Sequence, residues 1–199
     1  ALRFVAPMSQ KLPLGHLRDL QRRMALYEDE HAFKALFFAF YVQLTRLATA
    51  ITGAKEPAEE IVADVFTNLW KNRASAAEIA DIQLYLYVSV KNNCIHYLKK
   101  HQKQQWQSLD TLQLEQDWYY QESDRLEVKE LENQIRTAVA SLPPRARLIF
   151  QMAKEDKLPY KHIADLLGIS VKTVDNQLAI ALKKLSALIG FPASRKKNP

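Results

Sequence analysis

The sequence predicts an all-α protein made of two small helical domains joined by a linker, and three observations support this fold class. The 199 residues include only 4 glycines. Apolar side chains recur mostly at intervals of three and four residues, which is the spacing of amphipathic helices. Alternation of apolar and polar residues over strand lengths is hard to find, and no fixed-period repeat indicates a solenoid.

Charge is distributed unevenly along the chain. Residues 1–106 carry 14 basic and 10 acidic side chains, residues 107–134 carry 2 and 8, and residues 135–199 carry 12 and 4. Two basic lobes therefore flank an acidic segment, within a formal net charge of +6. A basic balance favours a polyanionic partner such as nucleic acid, although it is common in unrelated proteins.

The cysteine content and the apolar runs indicate the compartment. Cys94 is the only cysteine, which excludes an intramolecular disulfide and a Cys-rich metal site. No run approaches the roughly 20 apolar residues that a membrane span needs, and the first residues lack the apolar stretch of a secretory signal. We therefore expect a soluble, cytoplasmic protein without a metal or other cofactor.

The amino-terminal part begins with an extension, residues 1–25, which is expected to start irregularly and whose role the sequence leaves open. From about Tyr27 to Thr52 the chain is apolar on most sides, as expected for a helix at the centre of a bundle. Gly53 fits the end of this helix, because glycine readily adopts the left-handed conformation found there.

A second and a third helix are predicted before the composition changes. Pro57 suits a first helical turn, and that helix should run to about Asn72. Residues 73–83 lack large apolar side chains at regular spacing and are interpreted as a loop or short turn-like segment. Another helix should follow and end at about Gln104.

The remaining chain divides into a linker, a domain and a tail. Residues 106–130 are acidic and rich in glutamine, so we interpret them as a flexible linker between a first domain at 26–105 and a second at 131–190. The apolar helical pattern of the second domain is broken at Pro143 and Pro144. A basic tail, residues 191–199, completes the chain.

A helix-turn-helix is the strongest motif, in residues 160–185 (YKHIADLLGISVKTVDNQLAIALKKL). Gly168 can adopt the left-handed turn conformation between the two helices, and Ser170 is a good N-cap for the second helix. The inner face of the first helix is predicted to comprise Ile163, Ala164 and Leu167. The inward stripe of the second is predicted to comprise Val171, Val174, Leu178, Leu182 and Leu185.

Polar side chains near the start of the second helix are predicted to face outward, where a recognition helix meets the major groove. Amide side chains can read adenine edges, and lysine can meet guanine or phosphate. The candidates for DNA contact are Lys172, Thr173, Asp175, Asn176 and Gln177. Asp175 would repel phosphate, so it is expected to contact a base or a neighbouring side chain. The alternative is a tight pair of helices with no DNA contact.

The longer segment 142–185, which begins LPPRARLIF, resembles region 4 of sigma factors of the extracytoplasmic-function (ECF) group, within the sigma-70 family. Leu142, Pro143, Arg145 and Phe150 are among the matching positions. The resemblance implies that the second motif helix binds the promoter −35 element and that this domain contacts the polymerase flap. Ala179 and Ile180 depart from the pattern, because relatives often place polar or basic groups there.

Residues 59–73 (EEIVADVFTNLWKNR) resemble region 2.2 of the same family, whose exposed face grips the clamp helices of the largest polymerase subunit. The matching positions, which are the candidates for core polymerase binding, are Asp64, Val65, Phe66, Leu69 and Trp70. The apolar members cannot all point to one narrow core stripe, so some apolar surface is expected to stay available for a partner. Simple core packing is the alternative.

Residues 85–100 (YLYVSVKNNCIHYLKK) resemble the region of the family that recognises the −10 element, with 73–83 forming a pocket for an unstacked base. The candidates for this contact are Asn92, Asn93, His96, Lys99 and Lys100. Stacking and hydrogen bonding suit exposed single-stranded bases, and lysine suits the backbone. The alternative is a solvated helix face that ends in lysines.

Taken together, the resemblance implies an ECF-type sigma factor that binds core RNA polymerase and directs promoter recognition and transcription initiation. The expected partners are core RNA polymerase, promoter DNA and an anti-sigma factor, which can be membrane-bound. The acidic linker is expected to pass through a basic channel near the RNA exit path.

Two other functions remain open. One is a stand-alone helix-turn-helix regulator that binds duplex DNA as a dimer, and the other is a helical adaptor that never binds DNA. An enzyme is not expected, and neither is a small-molecule substrate, since no phosphate-binding glycine loop and no catalytic or metal-binding arrangement of histidines is recognisable.

Overall fold

The computed structural model describes residues 14–101, 135 and 137–189. The chain divides into two compact units, Ala1–Trp106 and Gln107–Pro199. Every regular element in the described ranges is helical, which confirms the predicted all-α class. The predicted linker at 106–130 and the basic tail at 191–199 lie outside the described residues.

Unit 1 is a bundle built around a central helix. Its helices are α1 (Leu14–Tyr27), α2 (Glu30–Thr52), α3 (Lys55–Lys71), the single turn α4 (Arg73–Ala76) and α5 (Ile82–His101). The central element is α2, which packs against α1, α3 and α5. The predicted central helix and the helices on either side of residues 73–83 are therefore confirmed, and that segment contains one helical turn.

Both ends of α2 follow from local chemistry. The Asp29 carboxylate accepts hydrogen bonds from the backbone N–H groups of His31 and Ala32, at 2.9 and 3.1 Å, and so caps the amino end. Arg23 donates to the same carboxylate at 2.6 Å. At the other end Gly53 has φ 74°, and its N–H donates to the Thr49 carbonyl at 2.8 Å. Gly53 thus ends α2 as predicted.

Helix α1 was not anticipated from the sequence. It lies within residues 1–25 and the start of the predicted first domain, and it buries Leu17, Leu20 and Met24 in the core of unit 1. It packs against α2 and α4. The described part of the extension is therefore an integral layer of the bundle.

By length and composition, α2 is also long and apolar enough to cross a membrane, contrary to the expectation that no such run exists. Half of its most apolar window is buried within the protein. Leu36, Leu44 and Leu47 are fully buried, as expected for the core helix of a bundle, which satisfies the same criteria.

Unit 2 contains the helix-turn-helix. Its helices are α6 (Pro144–Phe150), which continues into a π-helical turn (Gln151–Glu155), then α7 (Tyr160–Leu167) and α8 (Val171–Ile189). Residues 137–140 are also helical. One core cluster joins this segment, α6 and α8 through Val139, Leu142, Ala146, Ala181 and Leu185, with Phe150 packed against it.

The inward face of α8 differs in part from the predicted stripe. Val174, Leu178 and Leu185 are buried as expected, but Val171 and Leu182 are each 47% exposed, so the prediction was wrong for both. Positions separated by four and seven residues share a helix face, and this spacing places Ala181 on the buried face. Leu182 is turned about 100° away from it.

Candidate functional site

Three helix surfaces carry the candidate residues, and the first lies on α3. This helix buries Ala58, Ile61, Val62, Val65, Phe66 and Leu69 on one side. Its opposite side is exposed and polar, with Glu60, Asp64, Thr67, Asn68 and Lys71. We call these five residues the α3 outer face. The helical periodicity of the sequence could have found them, as the complement of the apolar positions.

Of the five polymerase-binding candidates, Asp64 alone belongs to the α3 outer face. Val65, Phe66 and Leu69 are 4%, 1% and 2% exposed, so they form part of the core of unit 1 and offer no surface to a partner. The expectation of a direct contact is corrected for these three, because their motif positions fall on the buried side of α3. Asp64 is exposed and Trp70 is half-buried.

Aromatic packing holds the inner side of α3 against α2. The ring of Phe33 lies edge-on to Phe66, with centroids 6.2 Å apart, and contacts Trp70 at 5.0 Å. Phe37 also meets Phe66 edge-on at 4.9 Å. These geometries are favourable for aromatic pairs, so the position of the α3 outer face is fixed by a rigid aromatic layer beneath it.

The second surface lies on α5, and the structure brings all five −10 candidates together there. Asn92, Asn93, His96, Lys99 and Lys100 are exposed, and their spacing places them on one side of the helix. The opposite side buries Leu86, Val90, Cys94 and Leu98. The carboxyl-terminal turn is basic, with Lys99 and Lys100, which suits the phosphate backbone of a nucleic acid.

Sequence reasoning missed two residues of this surface. Tyr85 and Val88 are 41% and 40% exposed, and they precede Asn92 by seven and four residues, so they continue its side of α5. Large apolar side chains that stay exposed can stack on or pack against unpaired bases. We define the α5 strip as Tyr85, Val88, Asn92, His96 and Lys99. Their spacing was the available signal.

The α4–α5 loop, residues 77–81, leads into the α5 strip. Asp81 fixes its end, because its Oδ1 accepts a hydrogen bond from the Leu84 N–H at 2.9 Å and its carbonyl accepts one from the Tyr85 N–H at 3.0 Å. Glu78, Ala80 and Asp81 are exposed. The loop therefore presents side chains to solvent directly beside the amino end of α5.

The third surface is the start of α8, and the predicted turn geometry is confirmed. Gly168 has φ 66°, the left-handed conformation that glycine adopts without a steric penalty. The Ser170 hydroxyl accepts a hydrogen bond from the Thr173 N–H at 3.0 Å and so caps α8. Buried Ile163, Ala164 and Leu167 form the inner face of α7, as predicted.

The five −35 candidates differ in how much of each side chain reaches solvent. Lys172, Asp175 and Asn176 are exposed, whereas Thr173 and Gln177 are half-buried. The Thr173 hydroxyl lies 2.9 Å from the Ser170 hydroxyl, so it takes part in the cap. Lys183 continues the exposed side on which Lys172 and Asn176 lie, giving this side a basic residue near each end.

Metal-binding chemistry has no support in the described ranges, where no group of three His, Cys, Asp or Glu side chains could hold a metal ion. The exposed residues of the three surfaces are amides, lysines, carboxylates and a few apolar side chains. Such groups can bind a polyanion or a protein.

Comparison with known proteins follows the same division of the chain. Residues 36–104 match the family described as Sigma-70 region 2, and residues 132–185 match the family described as Sigma-70, region 4. Among curated proteins, the ECF RNA polymerase sigma factor SigM of Mycobacterium tuberculosis is 24% identical over 163 residues, which cover 82% of this chain and 80% of that protein. The ECF RNA polymerase sigma factor RpoE of Cereibacter sphaeroides is 23% identical over 173 residues, covering 83% and 91%.

A solved structure, that of CnrH in complex with the cytosolic domain of CnrY, aligns over 88% of this chain and 97% of that chain, with 18% identity and a TM-score of 0.46. Regions 2 and 4, matched in this order, define a transcription initiation factor. The chain belongs to the extracytoplasmic-function subfamily of the sigma-70 family of RNA polymerase sigma factors.

Proposed function

We propose that this ECF sigma factor docks on core RNA polymerase through the α3 outer face, receives the single-stranded −10 element along the α5 strip, and reads the −35 element with the start of α8. The observation that carries the proposal is the α5 surface, where exposed aromatic, amide and basic side chains share one side of a helix. No stand-alone reader of duplex DNA needs such a surface, so the dimeric regulator is not favoured.

Docking through α3 is supported by its polar outer face and by the aromatic packing that holds its inner side against α2. Glu60 and Asp64 are one helical turn apart and exposed, and Asn68 continues their line. A helix held in place by packing presents its polar groups from a preorganised backbone, so docking orders less of the chain. Asp64 is the original candidate that remains available, and Trp70 offers only the part of its ring that Phe33 leaves free.

Capture of the −10 element is supported by the order of side chains along α5. Tyr85 and Val88 lie beside the α4–α5 loop, where an unstacked base would be held, and Asn92 follows with amide donors and acceptors. Lys99 and Lys100 at the far end would meet the phosphates. Holding a flipped base offsets an unstacking cost of a few kcal/mol, which favours promoter opening.

Recognition of the −35 element is assigned to Lys172 and Asn176, which are one turn apart and exposed near the amino end of α8. Gln177 is half-buried and is expected to reach the same groove from the flank. Asp175 is expected to accept a hydrogen bond from cytosine or to orient Lys172. Thr173 is expected to contact a DNA phosphate, and its hydroxyl also forms a hydrogen bond with the Ser170 hydroxyl.

The remaining expectations concern residues and partners beyond the described surfaces. We expect the acidic linker at 106–130 to pass through a basic channel of the polymerase, which its net negative charge would favour. We expect an anti-sigma factor to cover one or both units in the resting state. Since the relatives are named as RNA polymerase sigma factors, the cytoplasm is the expected location.

The first experiment measures binding to purified bacterial core RNA polymerase and run-off transcription from a pool of linear templates with randomised upstream sequence. The wild-type chain is expected to form holoenzyme and to enrich two sequence elements. Asp64→Arg should weaken holoenzyme formation at least tenfold, while Asp19→Arg on the outer side of α1 makes the same charge change as a control.

Two outcomes would overturn the proposal. Failure of the wild-type chain to bind core polymerase, together with tight specific binding of duplex DNA by the chain alone, would support the dimeric regulator. Equal losses in Asp64→Arg and Asp19→Arg would show that docking does not use the α3 outer face.

A further inference from the structure

A buried glutamine on α1 reaches across unit 1 to the end of α4 and the loop that follows. Gln21 is 3% exposed. Its side-chain nitrogen, Nε2, donates hydrogen bonds to the backbone carbonyls of Ala76 and Ile79, at 2.5 and 2.7 Å. A primary amide has two N–H donors, so both donors of Gln21 are used on carbonyls 55 and 58 residues away in the chain.

Apart from the two Asp81 hydrogen bonds at its carboxyl end, the α4–α5 loop has few contacts within the described part of unit 1 that fix its backbone. Ala76 at the end of α4 is buried, but Ala77 and Ile79 are only half-buried and the remaining loop residues are exposed. Its turn hydrogen bonds are long, at 3.3 Å from the Glu78 N–H to Ser75 and 3.2 Å from the Ile79 N–H to Ala76. A segment with few buried apolar contacts opens locally at low cost, so the Gln21 amide is its main inner tie.

A second tie comes from the same side. Glu28, which directly follows α1, forms an ion pair with Arg73 at the start of α4, with 2.5 Å between Nη2 and Oε1. The Glu28 side chain is 67% exposed, so this pair is expected to contribute less than the buried amide. Both ties connect α1 to the stretch between α3 and α5.

We infer that Gln21 is a positioning residue for −10 recognition: by holding the carbonyls of Ala76 and Ile79, it sets the backbone of the α4–α5 loop that receives the unstacked base. This inference rests on the proposed function. Gln21 itself lies in the core and touches no DNA. Its effect is transmitted through the loop backbone, which carries the exposed side chains of Glu78 and Ala80.

The test is the same selection from randomised templates, carried out with holoenzyme containing Gln21→Met. Methionine is of similar length and apolar, but it cannot donate to either carbonyl. Gln43→Met, at a half-buried position on α2, makes the same chemical change elsewhere in the bundle. Circular dichroism and core polymerase binding establish that each variant is folded and docks.

Base preference in the −10 element is expected to fall roughly tenfold in Gln21→Met, the factor that corresponds to losing one to two net hydrogen bonds. Preference in the −35 element and affinity for core polymerase should stay at the wild-type level. Transcription from a template with a pre-opened −10 region should recover in part, because opening no longer depends on base capture. Gln43→Met should behave as wild type.

A role confined to folding would instead lower the yield from all templates and leave the base preferences unchanged, and this outcome would overturn the inference. If Gln21→Met does not fold, Gln21→Asn is used, since it keeps the amide but shortens its reach by one methylene. An Asn variant with wild-type −10 preference would also overturn the inference. Absence of any enriched element with the wild-type chain would instead count against the proposed function.

Discussion

The guanidinium group of Arg73 lies over the indole ring of Trp70, with its central carbon 4.9 Å from the ring centroid. Its Nη1 also donates to the Trp70 carbonyl at 3.2 Å. Because Phe33 contacts the same ring, the Trp70 side chain already packs against two neighbours within unit 1, Arg73 and Phe33. Replacing Trp70 or Phe66 would therefore disturb packing as well as docking, and exposed Asp64 is the cleaner probe of the polymerase contact.

The first prediction concerns the stability of unit 1. Phe66 is 1% exposed and meets two aromatic rings, so Phe66→Ala should lower the free energy of unfolding by about 3–5 kcal/mol. Urea denaturation followed by circular dichroism measures this. Asn68→Ala, on the exposed side of the same helix, should stay within about 0.5 kcal/mol of wild type. Similar losses in both variants would contradict the assigned burial of Phe66.

The second prediction concerns the salt dependence of −10 binding. Replacing Lys99 and Lys100 with alanine should reduce the slope of log affinity against log salt by about 1.4, since each single-strand phosphate contact contributes about 0.7. Holoenzyme binding to a template with an unpaired −10 region, measured over a salt series, gives the slope. Replacing Lys34 and Lys55 in the same way should leave it unchanged. If the slope is unchanged when Lys99 and Lys100 are replaced, the phosphates of the −10 strand do not contact these two lysines.

The third prediction concerns the cap of the recognition helix. Ser170→Ala removes the acceptor for the Thr173 N–H and should lower the stability of unit 2 by about 1 kcal/mol. Ser186→Ala is the matched control, because the Ser186 hydroxyl only donates to the Lys183 carbonyl within the same helix. Denaturant midpoints of both variants are compared with wild type, and a larger effect at Ser186 would be the contrary result.

The fourth prediction concerns the cysteine on the inner side of α5. Burial raises the pKa of the Cys94 thiol from 9.0 to about 12. The folded state therefore keeps its proton where the unfolded state loses it, and Cys94 should make stability fall as the pH rises from about 9 to about 12.

Comparison of denaturant unfolding across this pH range with that of Cys94→Ala isolates the contribution. The native thiol should also resist a disulfide reagent at neutral pH until the chain unfolds, because the thiolate is the reactive form. Rapid reaction in native buffer would contradict the buried environment.

The fifth prediction uses the apolar residues on the outer side of α8. Ala179 and Ile180 are exposed, and such side chains can contact the methyl group of thymine. Replacing thymine with uracil in the selected −35 element should weaken binding about fourfold, which corresponds to one lost buried carbon group. In Ile180→Gln the difference between thymine and uracil should shrink. Equal binding of both bases by the wild type would count against this contact.

The sequence predicted those parts that depend on short-range chemistry. The glycines at 53 and 168 and the cap at Ser170 were predictable because each requirement is satisfied within a few residues. The α5 candidates lie on one exposed side, and helical spacing alone was enough to predict that. The −10 and −35 assignments themselves remain proposals.

Misassignments occurred where packing between elements decides the outcome. Val65, Phe66 and Leu69 belong to a shared motif, but a motif does not say whether a position is matched for its surface or for its core. The helical periodicity of the apolar positions indicates the inward side of α3, and the packing of α3 against α2 agrees with it. Likewise, Leu182 was predicted to face inward from its helical spacing, but the smaller Ala181 takes the buried position, in the core cluster that joins α6 and α8.

The Gln21 contact could not be derived from the sequence, because it joins residues 55 and 58 positions apart in the chain. Nothing in the local pattern around Gln21 distinguishes it from a surface glutamine.

The position of α1 also determines which fragments of this chain can be studied alone. The family match for region 2 begins at residue 36, inside α2, so a fragment cut at that boundary would lose α1, the Asp29 cap and the first turns of the central helix. It would leave the surfaces beneath Leu17, Leu20 and Met24 exposed to water. A usable fragment of the first unit has to begin before Leu14. A fragment defined by the family match alone would lack α1 and the core residues that it contributes.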